Sequence, residues 1–215
     1  IFGNASIENC TSNALFLCEQ FGVTAPVYRG ADRLLTGKKP ENYPDFVHGI
    51  NGLADIDVRV SEKNFEDQDA SSFLVESANA NPNEITILAV ARLTNIALAI
   101  NKDPNFASHV KEIIFMGGAA SCEGNVTPWA EANIIGDPEA ASVVFNSGIP
   151  LVMVGLDVTL LTRMSRGFLD SLTSDLVHLQ NLLVSINKVY ASYYKTSKNW
   201  DEFPVHDSSA IAYAK

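Results

Sequence analysis

The chain reads as an α/β fold with a mostly parallel central sheet and helices on both faces. Short apolar runs of strand length alternate with amphipathic segments: ITILAVA (Ile85–Ala91), IIFMG (Ile113–Gly117) and PLVMVGLDVT (Pro150–Thr159). These runs are apolar throughout instead of alternating with polar residues, as expected for strands covered on both sides. With 215 residues, 47% hydrophobic and 19% charged, the chain can bury one sizeable core, so residues 1–215 are expected to form a single domain.

The elements follow in order. Ser6 can cap a first helix whose apolar face is Ile7, Cys10, Ala14, Cys18 and Phe21, ending at Gly22. PVYRG (Pro26–Gly30) is a short strand. Residues 40–65, with Pro40, Pro44, Gly49 and Gly52, read as a long loop of the kind that tends to carry function. A helix is expected over Gln68–Ala78, then the strand Ile85–Ala91, after which Thr94 can cap a helix through Ile100. The next strand enters the turn Gly117–Gly118. Asp137–Pro138–Glu139 supplies an N-cap, an N1 proline and a first-turn acid for a helix through Val144. The strand Pro150–Thr159 follows. Leu169, Leu172, Leu176, Leu179, Leu183, Ile186 and Tyr190 then predict one long helix, and Asp207 would cap a last one over Ser208–Ala214.

A formal charge of −10 argues against nucleic acid or an anionic membrane as the main partner and suits a neutral substrate or a bound cation. No apolar run reaches the roughly eighteen residues of a membrane span. Cys10, Cys18 and Cys122 are odd in number and lack a CxxC pair, so neither a zinc site nor a disulfide scaffold is expected. Reduced thiols suit a cytoplasmic location. N-x-S/T sequons at Asn4, Asn9 and Asn125 are explained by chance.

Ligands in such sheets bind outside the carboxyl ends of the strands. The candidates there are Thr94, the loop Met116–Asn133 with Asn125, Glu131 and Asn133, Asp157, and the pair His206–Asp207. Asn offers donors and acceptors and ionised Glu only accepts, a set that can fix sugar hydroxyls. Alone, an Asn-x-x-Glu loop is more often a polar turn, and a His-Asp dipeptide a cap.

Together these residues resemble the inosine–uridine preferring nucleoside hydrolases, calcium-dependent N-ribohydrolases with a Rossmann-like fold. The resemblance runs through Gly3–Asn4, HGINGLAD (His48–Asp55), LTNIALA (Leu93–Ala99), MGG…GNVTPWAEAN (Met116–Asn133), DPEAA (Asp137–Ala141), VFNSGIPLVMVGLDVT (Val144–Thr159) and VHD (Val205–Asp207). It implies that Asn4, Asn125, Glu131 and Asn133 hold ribose hydroxyls while Met116 packs under the sugar. His48 would face the base, His206 would be the leaving-group acid, and Tyr190 and Tyr194 would close over the substrate. Asp207 would give a calcium carboxylate and Thr94 its backbone carbonyl. The partner would be a ribonucleoside, and the assembly a homo-oligomer.

The family's aspartate-rich strand end, DxDxxxDD, is absent. Gly3–Asn4 normally follows it, so most calcium ligands are expected upstream of residue 1, and further elements are expected after VHD. On that reading the stretch is a domain truncated at both ends, and alone it would hydrolyse little. Ala91–Arg92 stands where the family usually has Gly-Pro, Ala54 replaces a glycine, and Ser208 a proline. The alternative is a non-catalytic nucleoside- or ribose-binding homologue. An unrelated α/β hydrolase using Asp157 or Ser208 lacks the G-x-S-x-G turn.

Overall fold

The computed structural model describes residues 1–59, 61, 64–172 and 177–215. Helix α1 (Ile7–Gln20) starts where Ser6 Oγ accepts from Asn9 N–H. Strand β1 (Tyr28–Arg29) pairs in parallel with β2 (Glu66–Asp69), and between them the expected loop contains one helical turn, α2 (Asp45–His48). Asp69 caps α3 (Ala70–Ala80) by accepting from Ser71 and Ser72 N–H. Strand β3 (Ile85–Ala89), helix α4 (Thr94–Lys102), the turn α5 (Phe106–His109) and strand β4 (Val110–Met116) come next. Beyond them lie α6 (Ala132–Ile135), α7 (Pro138–Phe145) and strand β5 (Leu151–Val154).

Strands β3, β4 and β5 form a parallel sheet with β4 in the centre. Alternation along β4 divides the core. Ile113 and Phe115 pack with Ile87, Ala97, Ala141 and Val144, burying one face under α3, α4 and α7. Ile114 and Met116 pack on the other face with Val154, Leu156 and Ala210. Helices on both faces of a parallel sheet are what the continuous apolar strands predicted.

The rest departs from the expected pattern. Strand β5 stops at Val154, and Gly155 turns the apolar run into the short helix α8 (Leu156–Thr159). The long helix is three: α9 (Arg166–Ser171), α10 (Val177–Ile186) and α11 (Lys188–Lys198), with Leu176 outside the described residues. An antiparallel pair, β6 (Arg163–Ser165) and β7 (Glu202–Pro204), brackets them. Helix α12 (His206–Ala214) begins two residues early, so Asp207 sits in its first turn and Val205 takes the cap position. Among the described residues no helix is long and apolar enough to cross a membrane.

The loop after α2 is anchored from α1, where Asn9 Nδ2 donates to Ile50 O (3.2 Å) and Asn13 Nδ2 to Asn51 O (2.7 Å). Ala54 and Asp55 both hold left-handed backbone, with φ of 56° and 59°. That conformation costs an L-residue roughly 1–2 kcal/mol, partly offset for glycine by its larger loss of chain entropy. Ala54→Gly is therefore expected to raise unfolding stability by up to about 1 kcal/mol in chemical denaturation. Destabilisation by that change would contradict the strain reading.

Candidate active site

A cavity of about 400 Å³ opens at the carboxyl ends of β3 and β4, bounded by Val90, Met116, Asn125, Glu131, Asn133 and the first turn of α12. Of the eleven residues to which the resemblance assigns a role, ten line it: Asn4, His48, Met116, Asn125, Glu131, Asn133, Tyr190, Tyr194, His206 and Asp207.

Glu131 organises the polar side. It is 2% exposed and caps α6, its Oε1 accepting from Asn133 N–H (2.9 Å) and Oε2 from Ile134 N–H (3.2 Å). Oε2 also accepts from Gly118 N–H (3.0 Å), where φ is +81°, a turn that favours glycine. Burial pushes its carboxyl up from the ordinary value, against the pull of those three amides. A carboxylate has about four acceptor positions, so roughly one remains for a ligand hydroxyl. Asn133 Nδ2 donates to Met116 O (3.0 Å), and among the described residues its Oδ1 has no donor, which leaves it as an acceptor. Asn125 Oδ1 accepts from Ala132 N–H (2.9 Å), and among the described residues its NH₂ has no acceptor, which leaves it as a donor. The two amides thus offer opposite polarity to one cavity.

The other side is aromatic. His48 stacks on Tyr190 at 5.6 Å between centroids, and Tyr194 meets Tyr190 edge-on at 5.1 Å. Both tyrosines also pack on Phe203 and Leu169, so they belong to a core cluster and to the cavity wall at once. Tyr190 OH donates to Pro204 O. His206 is held at both nitrogens, Nδ1 lying 2.6 Å from Thr159 Oγ1 and Nε2 3.2 Å from Tyr194 OH. Burial lowers both His48 and His206 to about 4, with the neighbouring His48 adding to the effect on His206. Both are neutral at pH 7.

Thr94 is the exception. It does not line the cavity; it is fully buried, opens α4 instead of capping it, and its hydroxyl donates to Asp137 Oδ2 at 2.6 Å. From this turn Val90 reaches the cavity wall. Asp137 also accepts from Leu35 N–H (2.8 Å) and Ala140 N–H (3.2 Å), clamping three segments together. Arg92 lies over the Phe2 ring at 4.5 Å, and Ser208 lines the cavity. Asp157 does not line it; its carboxylate accepts from Ala120 N–H (2.9 Å), Ser121 N–H (2.7 Å) and Ser121 Oγ (2.6 Å), pinning the start of the loop Met116–Asn133. Sequence reasoning missed Val90, Thr159 and Phe203. The motif GLDVT was the one visible signal for Thr159.

Asp207 opens to the cavity, yet burial first and the Glu131 carboxylate second raise it to about 6. Among the described residues its side chain has no hydrogen-bond donor, and a cation beside it would relieve both effects. Glu131 is committed to backbone amides, and no group of three His, Cys, Asp or Glu suited to a metal occurs among the described residues. Calcium takes six to eight oxygens. Asp207 fits one corner of such a shell, and the other described residues do not complete it.

These shifts fix an acid dependence. Between about pH 6.5 and 4 each histidine is protonated in the unfolded chain and neutral when folded. Asp207 opposes them, since between its ordinary 3.8 and about 6 the folded form keeps its proton. Glu131, also raised by burial, opposes them too, so the histidines act most clearly above about pH 6, where the unfolded state binds more protons and stability is lost as pH falls. Melting followed in chelator-containing buffers from pH 7 to 4.5 should show Tm falling down to about pH 6, and a flat profile there would contradict the buried neutral histidines.

Comparison with known proteins shows the family and the fold. The model for the inosine-uridine preferring nucleoside hydrolase family matches residues 1–215. Uridine nucleosidase 1 of Arabidopsis thaliana is 42% identical over 201 residues, covering 93% of this chain and 57% of its own length. The chain thus spans little more than half of that relative. A solved plant nucleoside hydrolase superposes with a TM-score of 0.94 at 36% identity, over 100% of this chain and 68% of its own. A purine-preferring ribonucleoside hydrolase from Gardnerella vaginalis gives 0.90 at 32% identity, over 99% and 69%.

Proposed function

The chain belongs to the inosine–uridine preferring nucleoside hydrolase family, and from that premise we propose that it hydrolyses the N-glycosidic bond of ribonucleosides to free base and ribose. The observation that carries this reading is the division of one cavity into an amide–carboxylate side and an aromatic–imidazole side. The first suits a polyhydroxylated sugar and the second a planar base.

Breaking the C1′–N bond sends its electron pair to the base and leaves positive charge on the ribose ring. Water adds its oxygen to C1′ and gives up a proton, and the base ends with an N–H. Asn125 NH₂ and Asn133 Oδ1 would hold neighbouring hydroxyls, and the Glu131 charge would favour the cationic ring. The neutral state of His206 refines its role. It would donate a hydrogen bond to the departing base from Nε2, stabilising the accumulating charge, beside Tyr194 OH. Asp207 is the residue that would hold calcium, as the resemblance implies.

Uridine is the substrate to try first, since the Arabidopsis relative carries that name. A homo-oligomer belongs to the same proposal, supported by exposed apolar side chains such as Trp129 (89%) and Leu161 (79%). So does a cytoplasmic location, supported by three free cysteines. The test is incubation of the full-length protein with uridine, cytidine and inosine in calcium-containing, phosphate-free buffer. Equal amounts of free base and reducing sugar are expected from at least one. Saturable binding with no sugar release from any would overturn hydrolysis in favour of a nucleoside-binding role.

A further inference from the structure

We propose that Thr159 is a positioning residue that fixes the tautomer of His206, holding its proton on Nε2, the nitrogen beside Tyr194. Thr159 is fully buried on α8, and among the described residues its hydroxyl has one hydrogen-bond partner, His206 Nδ1 at 2.6 Å. A buried hydroxyl proton left without an acceptor is costly. The hydroxyl therefore donates to Nδ1, and a neutral imidazole that accepts at Nδ1 carries its proton at Nε2. That nitrogen lies 3.2 Å from Tyr194 OH, and both residues line the cavity. The other tautomer would strand the threonine proton and turn a lone pair toward the base, where accumulating negative charge requires a donor.

The seam around this contact supplies its own control. Three residues further along each segment, Thr162 Oγ1, beyond the end of α8, meets Ser209 Oγ of α12 at 2.7 Å, and Val205 N–H donates to Thr162 O at 2.9 Å. Thr162 holds α12 to the end of α8 without touching His206. If Thr159 served only to join the two elements, removing either hydroxyl would act alike. The hydroxyl of Thr159 is distinguished by the nitrogen it faces.

The catalytic part of this inference rests on the hydrolase reading above, and the tautomer itself does not. The test compares full-length wild type with Thr159→Val, Thr159→Ser and Thr162→Val. Nitrogen-15 NMR of His206 at neutral pH should show Nε2 protonated and Nδ1 bare in wild type and Thr159→Ser, and a mixture of tautomers in Thr159→Val. In kinetics, Thr159→Val should lose about tenfold or more in kcat on uridine with little change in KM. It should stay within about threefold on p-nitrophenyl riboside, whose leaving group needs no donor, and Thr159→Ser should restore the uridine rate. Thr162→Val should lower Tm without changing the ratio between the two substrates. Protonation at Nδ1 in wild type would overturn the proposal, as would equal losses on both substrates. If wild type releases no sugar at all, the hydrolase reading falls and the NMR result alone decides the tautomer.

Discussion

Replacing His206 by alanine in the full-length protein should lower kcat on uridine by about 10²–10⁴-fold while leaving KM within a few-fold. His206 is neutral at working pH and its imidazole is fixed between Thr159 Oγ1 and Tyr194 OH, so its donor is already aimed before the base departs. Its hydrogen bond strengthens only as charge develops on the leaving base, which places the loss in kcat. His206→Gln, which can return an N–H near the same point, should recover part of the rate. A loss under about threefold for His206→Ala would remove the residue from the chemistry.

Glu131→Ala should be the most damaging change to the fold of the site. It leaves the N–H groups of Gly118, Asn133 and Ile134 without their acceptor in a half-buried turn and removes the cap of α6. A lost cap costs about 1 kcal/mol, and each hydrogen bond to a charged group about 1.5–3 kcal/mol, so a destabilisation of roughly 3 kcal/mol or more is expected. In a domain of this size that corresponds to a Tm lower by about 6–12 °C. Glu131→Gln keeps one oxygen but points an NH₂ at amide donors, so it should be milder in Tm yet still slow hydrolysis. An unchanged Tm for the alanine variant would show that the turn does not depend on the carboxylate. Because Glu131 gives most of its acceptor positions to the backbone, much of any activity loss will come from displacement of Asn133 and Gly118.

Local signals carried much of this architecture. Ser6 caps α1 and Asp137 caps α7 as read, because caps act within three residues. The β3 and β4 runs read correctly because continuous apolar stretches of that length suit buried parallel strands. Features set by distant partners were not legible. Thr94 looks like a helix cap in sequence, and only the fold brings it to Asp137, forty-three residues on. The run Pro150–Thr159 stays apolar through a change from strand to helix, so periodicity could not mark the break at Gly155. Leu183, Ile186 and Tyr190 keep helical spacing across Asn187, yet its Nδ2 donates to Leu183 O at 2.8 Å and α11 turns away to pack on α2 and β7. The site residues were legible for a different reason. Their identities came from motif resemblance, and the structure brings ten of the eleven to one cavity. What each amide has left to offer a ligand depends on backbone partners that no spacing reveals.

The central claim is that one cavity holds the sugar and the base against different residues. The measurement that tests it most directly is the ratio of kcat/KM on uridine to that on p-nitrophenyl riboside for wild type, His206→Ala and Asn133→Ala. Both substrates carry the same ribose, so Asn133→Ala should slow them alike and leave the ratio within about threefold. Only uridine needs help with its leaving group, so His206→Ala should lower the ratio about a hundredfold or more. Ratios that shift equally in the two variants, or that shift with Asn133 and not with His206, would contradict the division of the cavity.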